Sequence, residues 1–112
     1  MRNVEIAVSL APGTPVPDGA VTLRAQLEEV TAIDAPARVI SVVVTHGVRL
    51  TGTTRLTLSV PPPDPHARYT VRVHADLNGS GVITPGDLVS TSSHPVLTQG
   101  RPDTADVQLK PA

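Results

Sequence analysis

Tyr69-Thr70-Val71-Arg72-Val73-His74-Ala75-Asp76 alternates without a break. Tyr69, Val71, Val73 and Ala75 fall on one side; Thr70, Arg72, His74 and Asp76 fall on the other. A period of two is the signature of a strand with one buried face. Here the first set is expected to face in and the second to face out. The same period recurs before and after this segment. Val4, Ile6, Val8 and Leu10 alternate with Glu5, Ala7 and Ser9, and Val21, Leu23, Ala25 and Leu27 alternate with Thr22, Arg24, Gln26 and Glu28. Further on, Leu56, Leu58 and Val60 alternate within Arg49 to Val60, and Ala105, Val107 and Leu109 close the chain.

The intervening segments are less regular. Leu23 to Val30 also has fair helix propensity, so a short helix is the alternative there. The alternation breaks at Glu29-Val30, which predicts a bulge or a strand end. In the segment after Asp34-Ala35-Pro36, Ile40, Val42 and Val44 are expected to face in, with Val39 and Val43 outward. Leu88 to Leu97 reads as one Ser/Thr-rich strand interrupted by Pro95. Pro61-Pro62-Pro63-Asp64-Pro65 reads as a polyproline II connector, and Asp18-Gly19 as a turn.

Composition agrees with strands. Val (17) and Thr (13) are abundant among the 112 residues, and twelve prolines break the chain into short elements. Both residue types are stiff at χ1 and pack well on a pleated surface. The expectation is an all-β chain forming a single β-sandwich domain over residues 1–112. It would have about seven short antiparallel strands and be immunoglobulin- or prealbumin-like. Tyr69 is the one aromatic residue, so the core must be aliphatic. About twenty buried Val, Leu and Ile side chains, at roughly 1.5–3 kcal/mol each, offset chain entropy in a domain of this size. A monomer or weak dimer is expected.

Several functions are excluded by the same arithmetic. There is no cysteine, hence no disulfide scaffold, thiolate metal site, cysteine nucleophile or lipid-accepting cysteine in this chain. A net charge of −1 and the lack of aromatic platforms argue against nucleic acid as a partner. The longest apolar run, Val42-Val43-Val44, is far short of a transmembrane helix. No apolar stretch follows Met1-Arg2, so no signal peptide is read there. A cytoplasmic location follows from the chain as it stands, and a periplasmic or surface one if a signal segment was removed. No nucleophile elbow or phosphate loop is present, and Ser92-Ser93-His94 reads as a polar strand. The expectation is a protein that is not an enzyme.

One segment could hold an ion. Asp76-Leu77-Asn78-Gly79-Ser80-Gly81-Val82-Ile83-Thr84-Pro85-Gly86-Asp87 matches a twelve-residue calcium loop position by position. Side-chain oxygens of Asp76, Asn78 and Ser80 fall at positions 1, 3 and 5. Gly81 takes the sharp turn, Val82 offers its carbonyl, Ile83 anchors the loop to the core, Thr84 takes position 9 and Asp87 closes the ring. A hard cation needs six to eight oxygens, and alternate residues of a curled loop converge on one point. With two carboxylates, calcium binding would be weak. Strands rather than helices flank the loop, so this is not an EF-hand. The competing reading is a hairpin loop built on the turn dipeptides Asn78-Gly79 and Ser80-Gly81. His46, His66, His74 and His94 show no ligand spacing and read as surface residues, with His94 the one expected near the loop.

Three further segments carry a resemblance. They are Val21 to Val30 with Asp34-Ala35-Pro36, then Tyr69-Thr70-Val71-Arg72-Val73, then His94-Pro95-Val96-Leu97-Thr98-Gln99-Gly100. Together, over most of the chain, they resemble the YbaY-like lipoproteins and the type III secretion lipoprotein chaperones, or pilotins. That family's pattern is L-x-D-V-S with D-A-P, then Y-x-V-R, then P-V-L-T-x-G; Glu29 stands where the pattern has Asp. The resemblance implies a small β-sandwich. In the pilotin branch it implies a chaperone that binds an outer-membrane secretin and helps localise it. Independently of it, a protein partner is expected at a sheet edge or loop. The alternative is a calcium-dependent surface adhesion or carbohydrate-binding module.

Overall fold

In a computed structural model, which describes residues 2–31 and 35–112, eight strands appear and no helix is present among the described residues. They are β1 (Arg2–Leu10), β2 (Val21–Glu29), β3 (Arg38–Val48), β4 (Thr54–Val60), β5 (Tyr69–Asp76), β6 (Leu88–Ser90), β7 (Pro95–Val96) and β8 (Thr104–Pro111). One hydrogen-bonded path runs β3-β2-β5-β6-β8-β1-β4, and β7 pairs with β5. Leu23–Glu29 lies within β2, so the helical alternative is set aside, and β2 ends at Glu29 where the alternation breaks.

The all-β class holds, but the arrangement differs from the expected two-sheet sandwich. Such a sandwich interrupts the hydrogen-bonded path between its sheets; here the path is continuous and the sheet curls almost into a barrel. Its two outer strands, β3 and β4, come together where the Ser41 hydroxyl donates to the Ser59 carbonyl at 2.7 Å. Nor are all strands antiparallel. β1 and β8 run parallel, with Ile6 opposite Ala105 and Val8 opposite Val107. The chain's two ends thereby close the same part of the sheet.

The interior is one aliphatic cluster. Val4, Leu23, Ala25, Val60, Val71, Ala75 and Leu109 are fully buried. Tyr69 sits at its margin, 7% exposed, with its hydroxyl accepting the Asp64 amide at 3.0 Å. The inward set of β5 is as expected. Its outward set is not uniformly exposed: Thr70 and Asp76 are buried, and only Arg72 is open to solvent. Thr70 is covered by the β7 approach, where its hydroxyl accepts the His94 amide at 3.0 Å.

Three expectations change for local reasons. In β3, Val42 and Val44 face outward, 40% and 44% exposed, while Ile40 and Val43 pack on the core. The pairing with β2 slips between Leu27/Ser41 and Glu28/Val39, leaving Ile40 as an extra residue. A one-residue bulge inverts which side each later side chain takes. The strand expected over Arg49 to Val60 shortens to Thr54–Val60, with Leu50 buried in the preceding turn. Leu88 to Leu97 divides into β6 and β7. Beyond Val96 the chain turns sharply, with Leu97 (φ 74°) and Gln99 (φ 60°) in the left-handed region.

Candidate functional site

β5 and β6 form a hairpin in which His74 pairs with Val89 and Ala75 with Leu88. Continuing that register by one residue sets Asp87 opposite Asp76 at the base of the loop. His74, two residues before Asp76, points from the same side of β5. One ligand atom each from His74, Asp76 and Asp87 lie within 4.8 Å of one another. The two carboxylates of the expected calcium set therefore converge, and His74 joins them. His74 was expected on the open surface, yet its side chain is 12% exposed. The signal for it was present in the sequence: His-x-Asp on one strand face with an Asp at the far end of the hairpin loop.

Each carboxylate is already engaged by donors. Asp76 accepts the amides of Asn78 (3.2 Å), Gly79 (2.9 Å) and Gly81 (2.7 Å). Gly79 and Gly81 turn toward it with φ of 72° and 80°, a conformation that glycine adopts without steric penalty. Asp87, 1% exposed, accepts the amides of Leu77 (3.0 Å) and Thr84 (3.1 Å), the Thr84 hydroxyl (3.3 Å) and His74 Nε2 (2.9 Å). Three of these donors converge on Oδ2 and one, the Leu77 amide, reaches Oδ1.

Burial alone would push the pKa of the Asp87 carboxyl up, because it disfavours the charged form. The hydrogen bonds from His74, Leu77 and Thr84, with the charge of the imidazole when protonated, outweigh it and hold the carboxyl below its ordinary range. The arrangement is an anionic knot on which the loop closes.

The remaining residues of the expected calcium set are on the open side of the loop, with the Asn78 side-chain amide donating to the Thr84 hydroxyl at 2.7 Å. Asn78, Ser80 and Val82 are exposed. Asn78 Oδ1 accepts the Ser80 amide at 3.0 Å, and the Ser80 hydroxyl donates to the Val82 carbonyl at 2.9 Å. Ile83, expected to anchor the loop in the core, is 61% exposed. The two aspartates tie down the loop's base by hydrogen bonds, and no apolar anchor is needed at its tip. His94 is also misplaced by the sequence reading: it lies at the start of β7, on the Thr70 end of β5, away from Asp76.

Against this geometry, comparison with known proteins decides the family. The sequence model described as "Type III secretion system lipoprotein chaperone (YscW)" matches residues 1–109. The chain belongs to that family. Among solved structures, it is similar to an alternative pilotin from the type II secretion system of Vibrio cholerae. That similarity has a TM-score of 0.75 and 18% identity, and covers 99% of this chain and 96% of the other. At that identity the likeness establishes the shared fold. A search of curated proteins finds no match. The family assignment agrees with the three sequence segments that resemble lipoprotein chaperones. No helix among the described residues is long and apolar enough to cross a membrane.

Proposed function

We propose that this chain is a non-enzymatic chaperone of a secretion system, binding an outer-membrane secretin and helping to localise it. The observation that carries this reading is the family match across residues 1–109. The shared pilotin fold supports it. On this reading the protein works on the periplasmic side of the outer membrane. The carbohydrate-binding alternative lacks an aromatic platform, because the single aromatic, Tyr69, is buried.

The loop between β5 and β6 has a structural part in this proposal. It closes on the Asp76 and Asp87 hydrogen bonds, which form from the loop's own amides, Thr84 and His74. The test of function is capture of the secretin from cells by the tagged chain, with and without a chelator. Specific capture in both conditions is the expected result. Failure to retain the secretin in either condition overturns the proposal.

A further inference from the structure

We propose that the outer face of β3, β2 and β5 is the docking surface for a partner segment with acidic side chains along its middle and aliphatic ones on its flanks. This deepens the chaperone reading and rests on it. The face is laid out in rows by the strand register. Val42 lies beside Gln26, which lies beside Arg72; Val44 lies beside Arg24, then His74, then Val89. The bulge at Ile40 creates this arrangement, since it turns Val42 and Val44 outward.

The face has two apolar walls and a floor that exposes two guanidiniums, those of Arg24 and Arg72. Val42 and Val44 form one wall on β3, and Val39 extends it, 46% exposed. The opposite wall is the tip of the β5–β6 loop, where Val82 and Ile83 are each 61% exposed. Between Arg24, Arg72 and that tip lies a depression of about 430 Å³. A second, of about 350 Å³, continues past Arg24 and His74 toward Val44 and His46. Exposed aliphatic side chains gathered around a concave surface mark an interaction site more often than singly scattered ones do.

Charge selects the occupant. The acids on this face are withdrawn from solvent: Glu28, Asp76 and Asp87 are all buried. Glu28 takes the Arg72 Nε–H at 2.7 Å, and the Arg72 side chain remains 60% exposed. Arg24 forms no ion pair among the described residues; its Nε donates to Gln26. The charged groups this face offers to solvent are therefore the guanidiniums of Arg24 and Arg72, while the carboxylates beside them are buried and engaged by their own donors. The two guanidiniums complement an acidic segment, and the flanking valines and isoleucine complement aliphatic neighbours.

The experiment measures affinity for purified secretin with the wild-type chain, Arg24→Glu, the pair Val42→Asp/Val44→Asp, and Gln108→Glu on β8 as a control at the far side of the barrel. All four positions are surface ones, and thermal unfolding checks that each variant is folded. The expected result is at least a tenfold loss for Arg24→Glu and for the valine pair, and unchanged binding for Gln108→Glu. Wild-type binding should also weaken at high salt. Wild-type affinity in both face variants overturns the docking surface and leaves the chaperone reading standing. No binding by the wild-type chain overturns the chaperone reading itself, and this surface with it. Self-association that the valine substitutions abolish while secretin binding persists assigns the face to a second copy of the chain and overturns the proposal.

Discussion

The imidazole of His74 and the carboxylate of Asp87, thirteen residues apart, meet at 2.9 Å with Asp87 almost wholly buried. The contact joins β5 to the residue just before β6. It is part of a knot in which Asp87 also holds Leu77 and Thr84. The loop's shape therefore depends on one side chain more than on any other.

Asp87→Ala is expected to destabilise the fold by about 3 kcal/mol. It strands buried donors that have no replacement, and losing one partner of a buried polar pair costs on this scale. In a domain of this size that corresponds to a drop in melting temperature of roughly 10 °C or more. Calorimetric unfolding checks it, and a shift of only a degree or two would show that the knot is dispensable.

The depressed Asp87 carboxyl sets a pH dependence. A carboxyl that ionises more readily folded than unfolded binds fewer protons in the native state, so stability rises with pH through its titration range. Its contribution is fully present above the ordinary value of 3.8 and is lost as pH falls from there through the lower native value. Denaturant unfolding of the wild type should show this acid loss, and Asp87→Asn should show a shallower one. Equal slopes in both proteins would assign the acid sensitivity to other groups.

Calcium should leave the melting temperature within about 1 °C of that in chelator. An ion that bound the native loop at a hundred times its dissociation constant would add about 2.7 kcal/mol. A rise of several degrees at millimolar calcium would therefore restore the ion-binding reading of Asp76 and Asp87, with their present amide donors rearranged.

Tyr69→Phe is expected to cost about 1 kcal/mol. The ring stays in place, but the Asp64 amide loses the hydroxyl that accepts it. Chemical denaturation reads the difference. A neutral result would mean that water replaces the hydroxyl at the margin of the core.

A large part of this molecule was legible in the linear pattern. The inward faces of β1, β2, β4, β5 and β8 follow from period-two alternation, because a strand buried on one side tolerates no other spacing. The end of β2 at Glu29 was visible as a break in that pattern. The twelve-residue spacing from Asp76 to Asp87 correctly brought two carboxylates together, since both lie at the base of one hairpin. Which donors their oxygens accept was not legible. Which amides reach a carboxylate depends on which way each backbone N–H points, and residue spacing does not record that.

The sequence by itself determined the all-β class, the aliphatic interior and the residues at the base of the β5–β6 loop, all consequences of local chemistry and short-range periodicity. The tertiary structure decided the rest. The parallel pairing of β1 with β8 joins residues about a hundred positions apart, and nothing local specifies it. The bulge at Ile40 is set by the register in which β2 and β3 pair, and it turns Val42 and Val44 to the surface. The burial of Asp76 and His74 arises because the loop folds back over the outer side of β5. Each of these depends on what covers a given face, and a strand's alternation distinguishes its two faces without saying what will lie against either.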